Sequence, residues 1–247
     1  MPALDWLTAR PVAHRGLHDA AKGIIENTSS AVSAAIAAGY AIEVDLQITA
    51  DSEAMVHHDD ALGRLNEGSA RLDSMTAADL KRVSFKATQD RMMTLSDLCD
   101  LVAERVTLVL ELKSRFDRDH RLVARTVEVL RQYKGPVAAM SFDPMQVLML
   151  KKAAPALTRG IVAEGGFGQR EWDWTGATDV FGYIRHTLRS WPHFIAYSVK
   201  DLPATAPLLT RNLLRLPLLT WTVRTDDDRR RAARWADQMI FEGFRPK

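Results

Sequence analysis

The sequence predicts an α/β protein built on a mainly parallel sheet. Three observations carry that expectation. Short apolar runs alternate with longer helical patterns from one end of the 247 residues to the other. Two of the runs lie too close together for a parallel crossover and read as a hairpin. No linker or low-complexity tract divides the series, so residues 1–247 are expected to form one domain of the barrel or doubly wound kind.

The strand candidates in order are PVAHRG, AIEVDLQI, EAMVHH, TLVLELK, PVAAMSF, TRGIVAEG, FIAYSV, PLLTWTV and QMIFEG. Between them lie helical patterns at 28–39, 117–134, 143–155 and 226–237, each opening on Thr or Asp, which serve as N-caps. Nine strands is one too many for an eight-stranded barrel. The surplus lies at 41–58, where only four residues separate AIEVDLQI from EAMVHH. A turn centred near Ala50 to Ser52 would set Glu43 opposite His58. Eight strands plus an antiparallel arm, or an irregular barrel, would use all nine; an open doubly wound sheet is the competing layout.

Charge and cysteine usage narrow the function. Lys and Arg number 33 against 31 Asp and Glu, a net charge of +2 with no basic block, so no nucleic-acid partner is expected. The run DDDRRR at 226–231 has the acid-then-base order of a helix start. The one cysteine, Cys99, excludes an internal disulfide and sits in an amphipathic helical pattern as a small core residue. The opening residues show no basic segment followed by an apolar run, and no stretch approaches a membrane span. A cytoplasmic location is the resulting default, and a homo-oligomer is left open.

The chemistry gathers at strand ends. In AIEVDLQI the pleat puts Glu43 and Asp45 on one face, and in TLVLELK it pairs Glu111 with Lys113. Both pairs lie towards the C-terminal ends of their strands, where barrel enzymes place reacting groups. Carboxylates crowded at such a rim repel one another unless they share a cation. A hard divalent ion, Mg²⁺ or Ca²⁺, suits oxygen ligands. The first strand ends in His14-Arg15-Gly16 and so brings His14 and Arg15 to the same rim. His14 and His58 would supply a general acid/base pair for hydrolysis, and Arg15 and Lys113 positive charge for a phosphate. Each group alone also has a structural reading: a hydrogen-bonded rim histidine, a salt-bridged acid pair, a lysine that neutralises its neighbour.

Alternation turns His57 away from the site, and His18, His120, His186 and His193 have no assigned partner. Trp221 and Trp191 read first as core aromatics. The glycine- and tryptophan-rich stretch at 163–176 is the candidate loop over the site.

Taken as a set, these residues resemble the glycerophosphodiester phosphodiesterase family. The chain carries His14-Arg15-Gly16, Glu26-Asn27-Thr28, Glu43-x-Asp45, His58-Asp59, Glu111-x-Lys113, Ser141-Phe142 and Trp221-Thr222-Val223, which match the family's motifs in order. The resemblance implies an irregular (β/α)8 TIM barrel. It further implies hydrolysis of a small-molecule glycerophosphodiester to glycerol 3-phosphate and an alcohol, with a divalent metal. Glu43, Asp45 and Glu111 match the metal ligands, and His14 and His58 the acid/base pair. Arg15, Lys113, Asn27 and Trp221 fall on the phosphate and substrate side, with Glu26 supporting the rim.

The chain also departs from that pattern. Ile25 replaces the proline before Glu26, and Ser52 or Glu53 the glycine of the hairpin turn. Arg224 follows the WTV strand where the family often has asparagine, and the last strand, QMIFEGFRP, lacks the usual threonine-aspartate ending. Residues 164–192 match no motif. Two rival functions keep the same residues: a lysophospholipase D-type hydrolase, and a non-catalytic barrel that binds phosphorylated ligands.

Overall fold

The computed structural model describes residues 4–165 and 187–246. Nine strands are present among them: β1 (Val12–Ala13), β2 (Ala41–Ile48), β3 (Ala54–Val56), β4 (Leu108–Leu112), β5 (Val137–Ser141), β6 (Thr158–Ala163), β7 (Phe194–Ser198), β8 (Leu218–Val223) and β9 (Gln238–Phe241). Eight of them run parallel in the order β1-β9-β8-β7-β6-β5-β4-β2, and a β1–β2 pairing closes the ring. The fold is therefore a (β/α)8 barrel and not an open sheet. β3 is the surplus strand, laid antiparallel on β2.

The pleat sorts each strand into two environments. Ile42, Val44, Leu46, Leu108, Leu110 and Leu112 face outward and are buried against helices that include Ser29–Ala38, Leu95–Val102 and Arg121–Leu130. The alternate residues Val12, Val109, Ala138, Met140, Val162 and Ile240 fill the barrel interior. Phe194 also enters that interior, and only because Gly160 makes room: a Cβ there would lie 2.4 Å from the Phe194 ring. Leu4, Trp6 and Leu7 pack into the same cluster, with Leu7 on the short helix Asp5–Thr8. The Trp6 and Thr8 carbonyls accept hydrogen bonds from Thr107 and Gln238, which closes the N-terminal end of the barrel.

Local chemistry explains where the helices begin. Thr28 caps Ser29–Ala38, and Thr225 with Asp228 forms a reciprocal capping box on Asp226–Trp235. The helix expected from 117 starts at Arg121, because Asp117 and Asp119 spend their carboxylates on the backbone N–H groups of Asp119 and Arg121 in a preceding turn. A helix at Thr205–Leu214 gives no capping signal in sequence; its N-cap is Ala204, and Pro207 sits in the first turn, where it costs no hydrogen bond. Cys99 is buried on Leu95–Val102. No helix among the described residues is long and apolar enough to cross a membrane.

The hairpin register differs by one residue from the sequence expectation. Leu46, Gln47 and Ile48 pair with Val56, Met55 and Ala54, so Glu43 and His58 are not opposite each other. The turn itself lies at Ala50 to Ser52 as expected, but a turn centred on Asp51 sets Glu43 level with Asp59 and not with His58; Thr49 N–H donates to the Glu53 carbonyl (3.0 Å), the Thr49 hydroxyl accepts from Glu53 N–H (2.8 Å), and Ser52 takes a left-handed φ of 62°.

Candidate active site

The interior face of each strand continues past the apolar core to the C-terminal rim. There the same parity delivers Glu43 and Asp45 from β2, Glu111 and Lys113 from β4, and His14 after β1. Asp45 and Glu111 are register partners in adjacent parallel strands, which brings their carboxylates side by side. One ligand oxygen from each of Glu43, Asp45 and Glu111 lies within 4.8 Å of the others, and all three residues are buried.

Three buried carboxylates meet two cations. Lys113 Nζ donates to Glu111 Oε1 (2.6 Å) and lies 2.8 Å from Asp45 Oδ1, while Arg15 Nε lies 3.2 Å from Asp45 Oδ2. Burial would raise the Asp45 carboxyl, but the Lys113 and Arg15 charges hold it well below the usual carboxylate range. Glu43 responds the other way: burial and the neighbouring charges of Asp45 and Glu111 push it well up, against Arg15. Its Oε2 accepts from Arg15 N–H (3.0 Å), and its Oε1 is buried without a hydrogen-bond partner among the described residues. An all-oxygen set with a surplus negative charge and an unpartnered buried oxygen fits a hard divalent cation.

The turn after β1 is built to hold these contacts. Arg15 and Gly16 both have positive φ, and a Cβ on Gly16 would lie 2.8 Å from the Ala31 backbone. Asn27, also at positive φ, donates from Nδ2 to Asp45 Oδ2 (2.9 Å) and accepts at Oδ1 from Asp45 N–H (3.3 Å). Asn27 thus holds Asp45 at both ends. Glu26 takes Arg15 Nη1 (2.8 Å) and Arg64 Nη2 (2.7 Å), and Arg64 in turn holds Asp59.

Both histidines are oriented through Nδ1. His58 pairs with Asp59 Oδ1 (2.8 Å), and its carbonyl accepts from the Gln47 side chain (2.8 Å). It reaches the site from the loop beyond β3, not from within the strand. Burial lowers its pKa, and Lys113 and Arg15 add to that effect against Asp45 and Asp59. His14 Nδ1 lies 2.5 Å from Glu242 Oε2, and its Nε2 lies 4.0 Å from Glu43 Oε2. Burial would raise Glu242, but His14, His18 and Arg224 hold it far below the usual range, and a carboxylate at this place is an acceptor for a proton on His14 Nδ1.

These groups line a cavity of about 350 Å³ whose opposite wall includes Met140, Phe142 and Trp221. The Phe142 and Trp221 rings meet edge to face at 5.4 Å, and the Trp221 indole N–H is buried with no hydrogen-bond partner among the described residues. The structure therefore gathers His14, Arg15, Glu43, His58, Glu111 and Lys113 in one cavity, with Asn27 and Asp45 directly behind them.

Residues 14–244 match the glycerophosphoryl diester phosphodiesterase family. The chain belongs to that family. It is thereby an enzyme of the phosphoric diester hydrolase class. A glycerophosphodiester phosphodiesterase from Caldanaerobacter subterraneus subsp. tengcongensis is 27% identical over 165 residues, 63% of this chain and 67% of that protein. Two solved structures show the same fold. An Oleispira antarctica phosphodiesterase in complex with the product sn-glycerol-3-phosphate is 19% identical, covers 96% of this chain and 94% of its own, and has a TM-score of 0.77. A glycerophosphodiester phosphodiesterase from Thermotoga maritima is 19% identical, covers 94% of each chain, and has a TM-score of 0.73.

Several residues stand differently from their sequence reading. Lys113 and Arg15 are engaged in carboxylate pairs and do not project freely. His57, by contrast, keeps its expected structural place outside the cavity, buried and hydrogen-bonded to Asn66 (3.0 Å) and to the Asp59 carbonyl (2.9 Å). His18, which had no assigned partner, lies 3.6 Å from Glu242 Oε2. Glu242 has no role in the sequence reading; its partner His14 is 228 residues away in sequence, too far for any local pattern to link them. Of the loop at 163–176, residues 166–176 lie outside the described residues, and Glu164 lines the cavity.

Proposed function

We propose that this protein hydrolyses glycerophosphodiesters to glycerol 3-phosphate and an alcohol, using a divalent metal, Mg²⁺ or Ca²⁺. One observation carries the reading: three buried carboxylates converge at the barrel rim beside two histidines, each tethered at Nδ1 by a carboxylate with Nε2 left for chemistry. Glu43, Asp45 and Glu111 would hold the metal. When bound, it supplies Lewis-acid polarisation of the phosphoryl group and offsets the surplus negative charge.

The chain's own residues do the rest. Arg15 and Lys113 bring positive charge to the phosphate oxygens, and Asn27 keeps Asp45 aimed at the rim. One histidine takes a proton at Nε2 from the attacking oxygen, which comes from water or from the glycerol 2-hydroxyl. The other gives a proton from Nε2 to the leaving alcohol oxygen. Phe142 and Trp221 wall the cavity on the apolar side, and the Trp221 N–H offers a donor to a substrate oxygen. The polar groups converging opposite an apolar wall suit a small polar diester.

The test is release of glycerol 3-phosphate from glycerophosphocholine and glycerophosphoethanolamine. Protein stripped with EDTA is compared with protein given back Mg²⁺ or Ca²⁺, and with Glu43→Ala. Metal-dependent release that Glu43→Ala loses is expected. Release that survives EDTA and the substitution would remove the metal from the reading, and no release under any metal would remove the substrate.

A further inference from the structure

We propose that Glu242 is a positioning residue for His14: it fixes the proton on Nδ1 and keeps Nε2 turned towards the reacting phosphate. The inference rests on the reading of His14 as one of the acid/base pair and goes beyond it in naming the group that prepares the ring. Glu242 Oε2 takes the His14 Nδ1–H at 2.5 Å, while its other oxygen, Oε1, takes Arg224 Nε–H, also at 2.5 Å. His18 Nε2 flanks Oε2 at 3.6 Å. Both carboxylate oxygens are thus committed, and the carboxylate cannot swing away without breaking the Arg224 pair.

The backbone fixes the other side. His14 N–H donates to the Phe241 carbonyl (2.9 Å), so the two residues at the ends of β1 and β9 are held side by side. With Nδ1 tied on that side, Nε2 faces Glu43 across 4.0 Å, which is the side where the carboxylates gather. During turnover a proton arrives at or leaves Nε2 while the Nδ1 proton stays where it is. Glu242 remains ionised throughout and stabilises the imidazolium when it forms.

Glu242 and Arg224 act as a unit because β8 and β9 are neighbouring strands and the two residues follow their ends. Their ion pair joins the two strand ends and leaves the second carboxylate oxygen on His14.

Two measurements test the proposal on the full-length protein. In the first, ¹⁵N-histidine NMR reads the ring tautomer of His14, assigned by the signals that vanish in His14→Ala. The protonated-Nδ1 pattern is expected in the wild type and its loss in Glu242→Gln; a wild-type ring protonated on Nε2 would overturn the proposal whatever the activity. In the second, Glu242→Gln is expected to lower kcat by about 10- to 100-fold with KM little changed, and Glu242→Asp to recover part of the loss. Because Glu242 acts through His14, adding Glu242→Gln to His14→Ala should cost nothing further. If the double variant is slower than His14→Ala by the full single-variant factor, Glu242 acts independently and the proposal falls. Wild-type turnover in Glu242→Gln beside an inactive His14→Ala overturns the positioning role alone, whereas near-normal turnover in His14→Ala overturns the acid/base reading on which it rests.

Discussion

Glu43 and Asp45 lie two residues apart on one face of one strand, equally buried, yet their carboxyls are driven in opposite directions. The difference is which neighbours face them: Lys113 and Arg15 for Asp45, two other acids for Glu43. The same selectivity of contact applies to His58, whose Nδ1 is committed to Asp59 while Nε2 stays available. Replacing His58 with Ala should therefore lower kcat by about 10²-fold or more if that nitrogen transfers a proton. Steady-state kinetics with glycerophosphocholine would check this, and near-normal turnover would strip His58 of its role. The acids and His14 were legible in sequence because the pleat alone fixes which residues share a face, and parity is local information. Glu242, Arg224 and His18 were not, since their significance comes from strand ends that meet only when the barrel closes. The engagement of Lys113 with two carboxylates was half legible: its spacing from Glu111 allowed neutralisation, but the Asp45 contact depends on β2–β4 register.

At the scale of elements, the site depends on short irregular connections more than on the strands. β1 has two residues in ladder geometry, and the turn that follows carries Arg15 and Gly16 at positive φ, with Arg15 N–H donating to the Glu43 carboxylate and Gly16 N–H to the Glu43 carbonyl. Gly16 and Gly39 have nearly the same backbone, with φ of 80° and 72°, but different surroundings. A Cβ on Gly16 meets the Ala31 backbone at 2.8 Å, and one on Gly39 meets nothing within 4 Å. Gly39→Ala should cost about 1 kcal/mol for the left-handed conformation alone. Gly16→Ala should cost about 2 kcal/mol or more, because the helix Ser29–Ala38 must move as well. Urea unfolding of the two variants separates the contributions, and equal losses would mean that close approach to Ala31 is not what demands glycine. All nine strands could be placed from sequence because alternation and turn residues bracket each one. The hairpin turn was legible too, but not the partner of Glu43: the Thr49–Glu53 bonds and the φ of Ser52 close a turn centred on Asp51, and that sets Glu43 level with Asp59, one residue beyond His58.

For the molecule as a whole, the barrel separates its tasks by end. Charge is concentrated at the C-terminal rim, while the N-terminal end is closed by Leu4, Trp6 and Leu7. Near that closed end lies a basic pair that the proposed chemistry does not use. Arg159 is buried, and its guanidinium donates to the carbonyls of Trp191 (2.9 Å) and Pro155 (3.2 Å), with no carboxylate partner among the described residues. His193 N–H donates to the Arg159 carbonyl at 2.7 Å. Burial, and then the Arg159 charge, lower the His193 pKa to about 4. An unfolded chain would protonate the same histidine near its ordinary value of about 6.5. The unfolded state therefore binds this proton first as pH falls. The stability that neutral His193 contributes is fully present above about pH 6.5 and is lost progressively down through about pH 4. Unfolding midpoints in urea, measured from pH 7.5 to pH 4 on wild type and on His193→Asn, isolate this group, because the rim carboxylates are common to both proteins. The wild-type midpoint should fall more steeply than that of the variant across this window. Parallel curves would show that His193 takes up its proton as readily in the folded barrel as in the unfolded chain.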